Sequence, residues 1–155
     1  MLSEQPKSKS TYEAKETKKL IKAINQFVKE SKRLYALRES TQENSPEHKQ
    51  ITRQIEKLNL DLLSKATRLI KNGADPNAKT NDCNLIYIAG NYYKANDTQM
   101  RSRFKKYIEF NNLDVNATIK GIPVVSAFYR NKNFGAASVL IEMGFDLDTP
   151  LTSES

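Results

Sequence analysis

A six-residue word recurs along this chain of 155 residues. It reads Asn72-Gly73-Ala74-Asp75-Pro76-Asn77, then Asn111-Asn112-Leu113-Asp114-Val115-Asn116, then Met143-Gly144-Phe145-Asp146-Leu147-Asp148. Each copy closes an apolar-patterned run: "LLSKATRLIK", "RFKKYIEF" or "AASVLIE". A helix stops most easily at a residue that tolerates left-handed backbone, because that conformation lets the last carbonyls find donors. Gly73 and Gly144 adopt it without steric cost, and Asn112 is the next best choice. A small or apolar residue follows, and the aspartate after it can accept backbone hydrogen bonds in the connecting turn. The aspartates lie 39 and 32 residues apart. A fold that repeats this punctuation is a series of similar helical units.

The chain between and before the words supplies the helices. From Tyr12 to about Glu39 there is no Gly or Pro, and Leu20, Ile24, Phe27, Leu34 and Tyr35 fall at helical spacing, with Val28 and Leu37 beside them. The pattern predicts one long amphipathic helix. "STQENSPEHK" is a loop, in which Ser45 can cap a second helix with Pro46 at its first position and His48 in its first turn. That helix runs to Lys71, with Ile51, Ile55, Leu58, Leu62, Ala66 and Leu69 as its stripe. The two stripes are expected to bury each other as an αα-hairpin. "NLIYIAGNYY" and "TQMRSRFKKYIEF" then read as one short helical pair, and "IPVVSAFYR" with "FGAASVLIEM" as another.

Composition narrows the chemistry. Cys83 is the single cysteine and His48 the single histidine, so no internal disulfide and no Cys/His zinc site is expected. A thiol or Ser-His hydrolase would lack its base. Asp75, Asp114 and Asp146 are spent on turn words, and no glycine-rich phosphate loop is present. The expectation is a chain that is no enzyme, with no cofactor, no metal and no small-molecule substrate. No apolar run approaches the roughly 18 residues of a membrane span, and "MLSEQPKSKS" lacks a signal-peptide core. A reduced, cytoplasmic setting is therefore expected. The formal charge is +7, concentrated early: residues 1–57 hold 13 Lys+Arg against 8 Asp+Glu, residues 58–155 hold 12 against 10.

The word, its helical pairs and a spacing near about 33 residues resemble the ankyrin-repeat family. "ATRLIKNGADPNAK" is similar to the family's unit ending, a leucine-rich helix followed by Gly-Ala-Asp-Val-Asn; "RFKKYIEFNNLDVNAT" and "AASVLIEMGFDLDT" are looser copies. Unit beginnings depart from the family's Gly-x-Thr-Pro-Leu-His-x-Ala. "CNLIYIAG" puts Asn84 and Leu85 at Thr-Pro and Tyr87 at His, while "GIPVVSAF" keeps Pro123 and Ala127 but has Ile122 and Val125 at the Thr and His places. The 39-residue spacing implies an insertion, assigned to "YKANDTQ", Tyr93 to Gln99, as a longer inter-helix loop. The fold class implied is all-α: an ankyrin-like helical solenoid of three divergent units, with a long N-terminal antiparallel helical hairpin as cap. Residues 1–10 are assigned to a disordered leader, 11–61 to the hairpin, 62–149 to the repeats and 150–155 to a polar tail. The C-terminal end has no evident cap, and Val139, Leu140 and Met143 are candidates for an exposed apolar edge.

The resemblance also implies a function: an adaptor or regulator binding another protein through hairpin tips and first helices, the concave ankyrin surface. Carried onto this chain, the tip residues are Lys79, Thr80, Asn81 and Asp82, then Thr118, Ile119 and Lys120. Tyr87, Tyr92, Phe128, Tyr129 and Arg130 come from first helices. Ile119 carries most weight, as an apolar β-branched residue at a solvent-facing tip. One alternative makes the basic N-terminal helix the binding element, as a coiled coil or against an acidic partner. Another, weaker reading is nucleic-acid binding through "RSRFKKY", Arg101 to Tyr107, although helical spacing turns Phe104 and Tyr107 to the core. The Lys-, Asn- and Ile-rich composition suggests an AT-rich genome. Small divergent ankyrin proteins of this kind resemble effectors that intracellular bacteria inject into hosts, which would place the chain in a host-cell cytosol.

Overall fold

The structure is a computed structural model that describes residues 11–80 and 82–148; the assigned leader, Asn81, Thr149 and the tail lie outside them. The described residues form six helices and one two-stranded sheet. Helices α1 (Ala14–Glu39) and α2 (Pro46–Lys71) are the long hairpin. Ser45 Oγ accepts the His48 N–H with Pro46 behind it, so α2 starts on the cap its sequence spells. Leu20, Ile24 and Phe27 of α1 share the main core with Leu62, Leu63, Ala66 and Leu69 of α2. Leu34, Ile51 and Ile55 form a small separate cluster near the hairpin loop. Tyr35 departs from the expected stripe: it is 44% exposed, with the Arg38 guanidinium 4.9 Å above its ring.

Helices α3 (Leu85–Tyr93), α4 (Thr98–Asn111), α5 (Val124–Arg130) and α6 (Phe134–Glu142) follow. Helix α3 packs on α2 and α4, α5 packs on α3, and α6 packs on α4 and α5. Phe104, Val124, Val125, Phe128, Val139 and Leu140 are fully buried between them. Val139 and Leu140 therefore do not form the open apolar edge expected of them; the core of the last helical pair absorbs both. Phe134 and Leu147 are the exposed apolar residues at this end.

The assigned insertion also lies elsewhere. The loop between α3 and α4 is only Lys94–Asp97, against 131–133 between α5 and α6. Most of the extra length is helix: α4 has 14 residues where α6 has 9. Asp97 holds this extension, because its carboxylate accepts the Met100 N–H at 2.8 Å. Added helical residues bond their own backbone, whereas added loop residues would need water or side chains.

The three words are built alike. Ala74, Leu113 and Phe145 donate their N–H groups to the carbonyls of Leu69, Ile108 and Leu140, five residues back, at 2.9–3.0 Å. Gly73, Asn112 and Gly144 carry the positive φ angles, 114°, 57° and 110°, that this closure requires. Asp75, Asp114 and Asp146 then each accept the N–H two residues on, at 2.9 Å. A further set of bonds joins one word to the next. Asn77 Oδ1 accepts the Asp114 N–H and Asn116 Oδ1 accepts the Asp146 N–H, both at 2.8 Å. Thr17 of α1 takes the same role for the first word, accepting the Asp75 N–H at 2.9 Å. Glu13 N–H donates to the Gly73 carbonyl at 2.8 Å beside it. The hairpin is thus tied to the words at both α1 and α2.

The one departure from all-helical structure is a tip. Strands β1 (Thr118–Ile119) and β2 (Ile122–Pro123) pair antiparallel, with Ile119 opposite Ile122. Lys120 and Gly121 both have positive φ, 53° and 80°, the conformation a two-residue hairpin turn demands.

Candidate functional site

Specific contacts link the two tips to each other and α3 to α5. Lys120 Nζ lies 3.0 Å from Asp82 Oδ1, joining the two tips. That pairing, chiefly the hydrogen bond from Lys120, holds the Asp82 carboxyl below its ordinary range. Asn84 Nδ2 donates to the Thr118 carbonyl at 3.2 Å, a second link. Thr80 Oγ1 donates to the Cys83 carbonyl and squares the first tip. Between the helices, the Tyr87 ring stacks on Phe128 at 5.3 Å, and Asn131 Nδ2 donates to the Tyr87 hydroxyl.

The candidate residues divide by exposure. Lys79, Asp82, Thr118, Lys120, Tyr129 and Arg130 are exposed. Thr80, Tyr87 and Tyr92 are half-buried. One member of the set is core. Phe128 is 0% exposed, enclosed by Tyr87 and Phe104 and set directly on the backbone of Gly90, so it is core. Ile119 is half-buried, like Tyr87 and Tyr92, and packs against the main core, a structural reason for an apolar residue there. Asn81 lies outside the described residues.

A cleft of about 230 Å³ opens between α1 and α3. Helix α3 packs chiefly on α2, which leaves this space beside α1. Phe27, Val28, Ile88 and Cys83 form its apolar lining, Tyr35 and Tyr87 flank it, and Asn59 and Asn91 offer amides. A shallower recess beside it, about 460 Å³, shares Val28, Lys32 and Asp82 and adds Asn25 and Lys29. Val28, Lys32, Asn59 and Asn91 are absent from the candidates named by resemblance. The α1 sequence carried a signal for Lys32, its helical spacing with other lysines, but no signal for the direction of that face.

The residues with chemical potential are occupied otherwise. Burial pushes the Cys83 thiol up to about 12, so it is not a thiolate nucleophile at neutral pH. His48 Nδ1 sits 3.1 Å from Thr41 Oγ1 in the hairpin loop. Among the described residues no group of three His, Cys, Asp or Glu converges as metal ligands, and no helix is long and apolar enough to cross a membrane. In "RSRFKKY", Phe104 is core and the Tyr107 hydroxyl donates to the Leu63 carbonyl at 2.8 Å. Arg101 bonds Ser138 Oγ at 2.6 Å, and both Arg101 and Lys105 pair with Glu142. Neither aromatic is a free platform for a base, and two of the cations already serve α6.

Comparison with known proteins returns no match: no family model fits the chain, and no curated protein or solved structure is similar to it.

Proposed function

We propose that this chain is a non-catalytic protein-binding module, a divergent ankyrin-type stack capped by the α1/α2 hairpin, that engages a protein through its tips and first helices. The observation that carries the reading is the alignment of the words. One side-chain amide per unit accepts the backbone N–H of the next unit's aspartate, so successive tips are held in register along one side. Lys79, Asp82, Lys120, Tyr129 and Arg130 of the tips and first helices are exposed, and Asp82 pairs with Lys120. Tyrosine and arginine are the types that most often anchor protein interfaces. Such a module acts as an adaptor or regulator, and an effector delivered into a host cytosol is one setting that fits its composition.

The test is affinity capture from cell extract with matched variants. Lys79→Glu with Lys120→Glu, and separately Tyr129→Ala with Arg130→Ala, should release proteins that the parent retains. Phe110→Ser, on the outward side of α4 where Phe110 is 73% exposed, should not. An unchanged captured set with both double variants, each shown to be folded by circular dichroism, defeats the reading.

A further inference from the structure

Helix α1 carries a charge pattern that its packing turns into a surface. Lys15, Lys18, Lys22, Asn25, Lys29 and Lys32 follow one another at steps of three or four residues, and all six are exposed. At about 100° per residue this spacing keeps them on one face, and at about 1.5 Å per residue the span from Lys18 to Lys32 is about 21 Å. Of the helix's three acidic residues, Glu16 pairs with Lys19 at 3.2 Å, Glu30 pairs with Arg33 at 2.6 Å, and Glu39 stands at its C-terminal end. Lys15, Lys18, Lys22 and Lys29 have no ion pair with a described residue. Lys32 and Lys29 reach the recess beside Asp82, whose carboxylate already has Lys120. The cleft meets the C-terminal part of this stripe at Lys32, with Val28 and Tyr35 on the α1 wall.

From this juxtaposition we infer that the α1/α3 cleft and the lysine stripe together receive an acidic amphipathic helix of a partner protein. This rests on the protein-binding reading above and names the chemistry of its partner. A helix laid along α1 presents side chains at the same three- and four-residue steps, so carboxylates on one of its faces meet the lysines in register. Its neighbouring apolar residues pack on Val28 and Tyr35 at the mouth of the cleft, above the buried Phe27 and Ile88, with Asn91 at the rim. The alternatives fit less well. Helix α1 turns its own apolar face into α2, so it cannot insert that face into a bilayer. Apart from Asn25 the stripe holds lysines, with no arginine fork, and the Tyr35 ring beside it already stacks with the Arg38 guanidinium.

The test selects 18-residue peptides displayed from a random library on the full chain and measures the winners by fluorescence anisotropy. The expected winners carry Asp or Glu at three- and four-residue steps beside apolar residues. K22E/K29E/K32E should weaken them at least about tenfold, and salt raised from about 50 to about 300 mM should weaken them several-fold. Winners that lose binding with Tyr129→Ala/Arg130→Ala but ignore the lysine reversals leave the binding surface standing and overturn this assignment. Winners that ignore both variant sets overturn both. If no peptide is enriched, or if poly(dT) or phosphatidylserine vesicles bind the stripe more tightly than any peptide, the acidic-helix assignment fails.

Discussion

At the residue scale, small side chains set distances that larger ones would destroy. A Cβ on Gly90 would overlap the Phe128 ring, so this glycine lets α5 lie against the α3 backbone. Gly90→Ala should therefore lower stability by about 1–3 kcal/mol through overpacking, despite the better helix propensity of alanine, as urea unfolding would report. The amides of Asn77 and Asn116 do a different job, each accepting a backbone N–H from the next word. Asn77→Ala leaves the Asp114 N–H without that partner and should cost about 1 kcal/mol; Asn116→Ala, more exposed, should cost less in the same titration. Tyr107 and Cys83 set the alkaline limit. Burial raises both above their unfolded values, so the folded state keeps their protons longer than the unfolded chain does. The stabilisation is complete below the unfolded Cys value and is lost as pH rises from about 9 past 12. Melting temperature should fall across that range, and less steeply in Tyr107→Phe, which also forgoes the bond to the Leu63 carbonyl and starts lower.

At the element scale, the hairpin is anchored at one end and lightly held at the other. Its base shares the main core and carries the Thr17 and Glu13 bonds to the first word. Its loop end rests on the small cluster of Leu34, Ile51, Ile55 and the partly buried Leu58, with side-chain hydrogen bonds from Arg38 to Thr52 and between Thr41 and His48. So few apolar contacts predict local opening. Amide hydrogen exchange should be faster across 34–55 than across the buried turns of α3 and α6, and Leu34→Ala should speed that segment alone. If Leu34→Ala loosens α3 to α6 equally, the hairpin is not a separable element. Helix α4 shows how an added length is accommodated. Asp97 caps it, and Arg101 and Lys105 reach Glu142 of α6, so the extension is secured at its start and along its side. Asp97→Ala should lower stability by about 1 kcal/mol in thermal or urea unfolding.

At the scale of the whole molecule, α2 is the member that makes one body of the chain. It packs on α1 and α3, and its Leu63 carbonyl receives the Tyr107 hydroxyl of α4. The main core consequently runs without a break from Leu20 to Phe145. Far-ultraviolet circular dichroism and tyrosine fluorescence should report one coincident unfolding transition, apart from the loop end of the hairpin. The same arrangement makes the cleft: because α3 leans on α2, α1 and α3 part, and the lysine face of α1 borders the space between them.

Local chemistry alone determined where helices begin and end. Ser45 and Pro46 start α2, and Gly73, Asn112 and Gly144 stop three helices, because capping and left-handed backbone depend on neighbours within a few residues. The periodic apolar stripes likewise identified most of the core. Tertiary structure decided what those stripes could not. Ile119 and Phe128 read as surface by their place in a repeat, yet they are drawn inward by residues far away in the chain. Tyr35, apolar by period, is left at the mouth of the α1/α3 cleft with the Arg38 guanidinium over its ring. The basic character of α1 was legible from the start; that its lysines border an apolar cleft follows only from how α3 packs on α2, a property set by packing between elements rather than by any one of them.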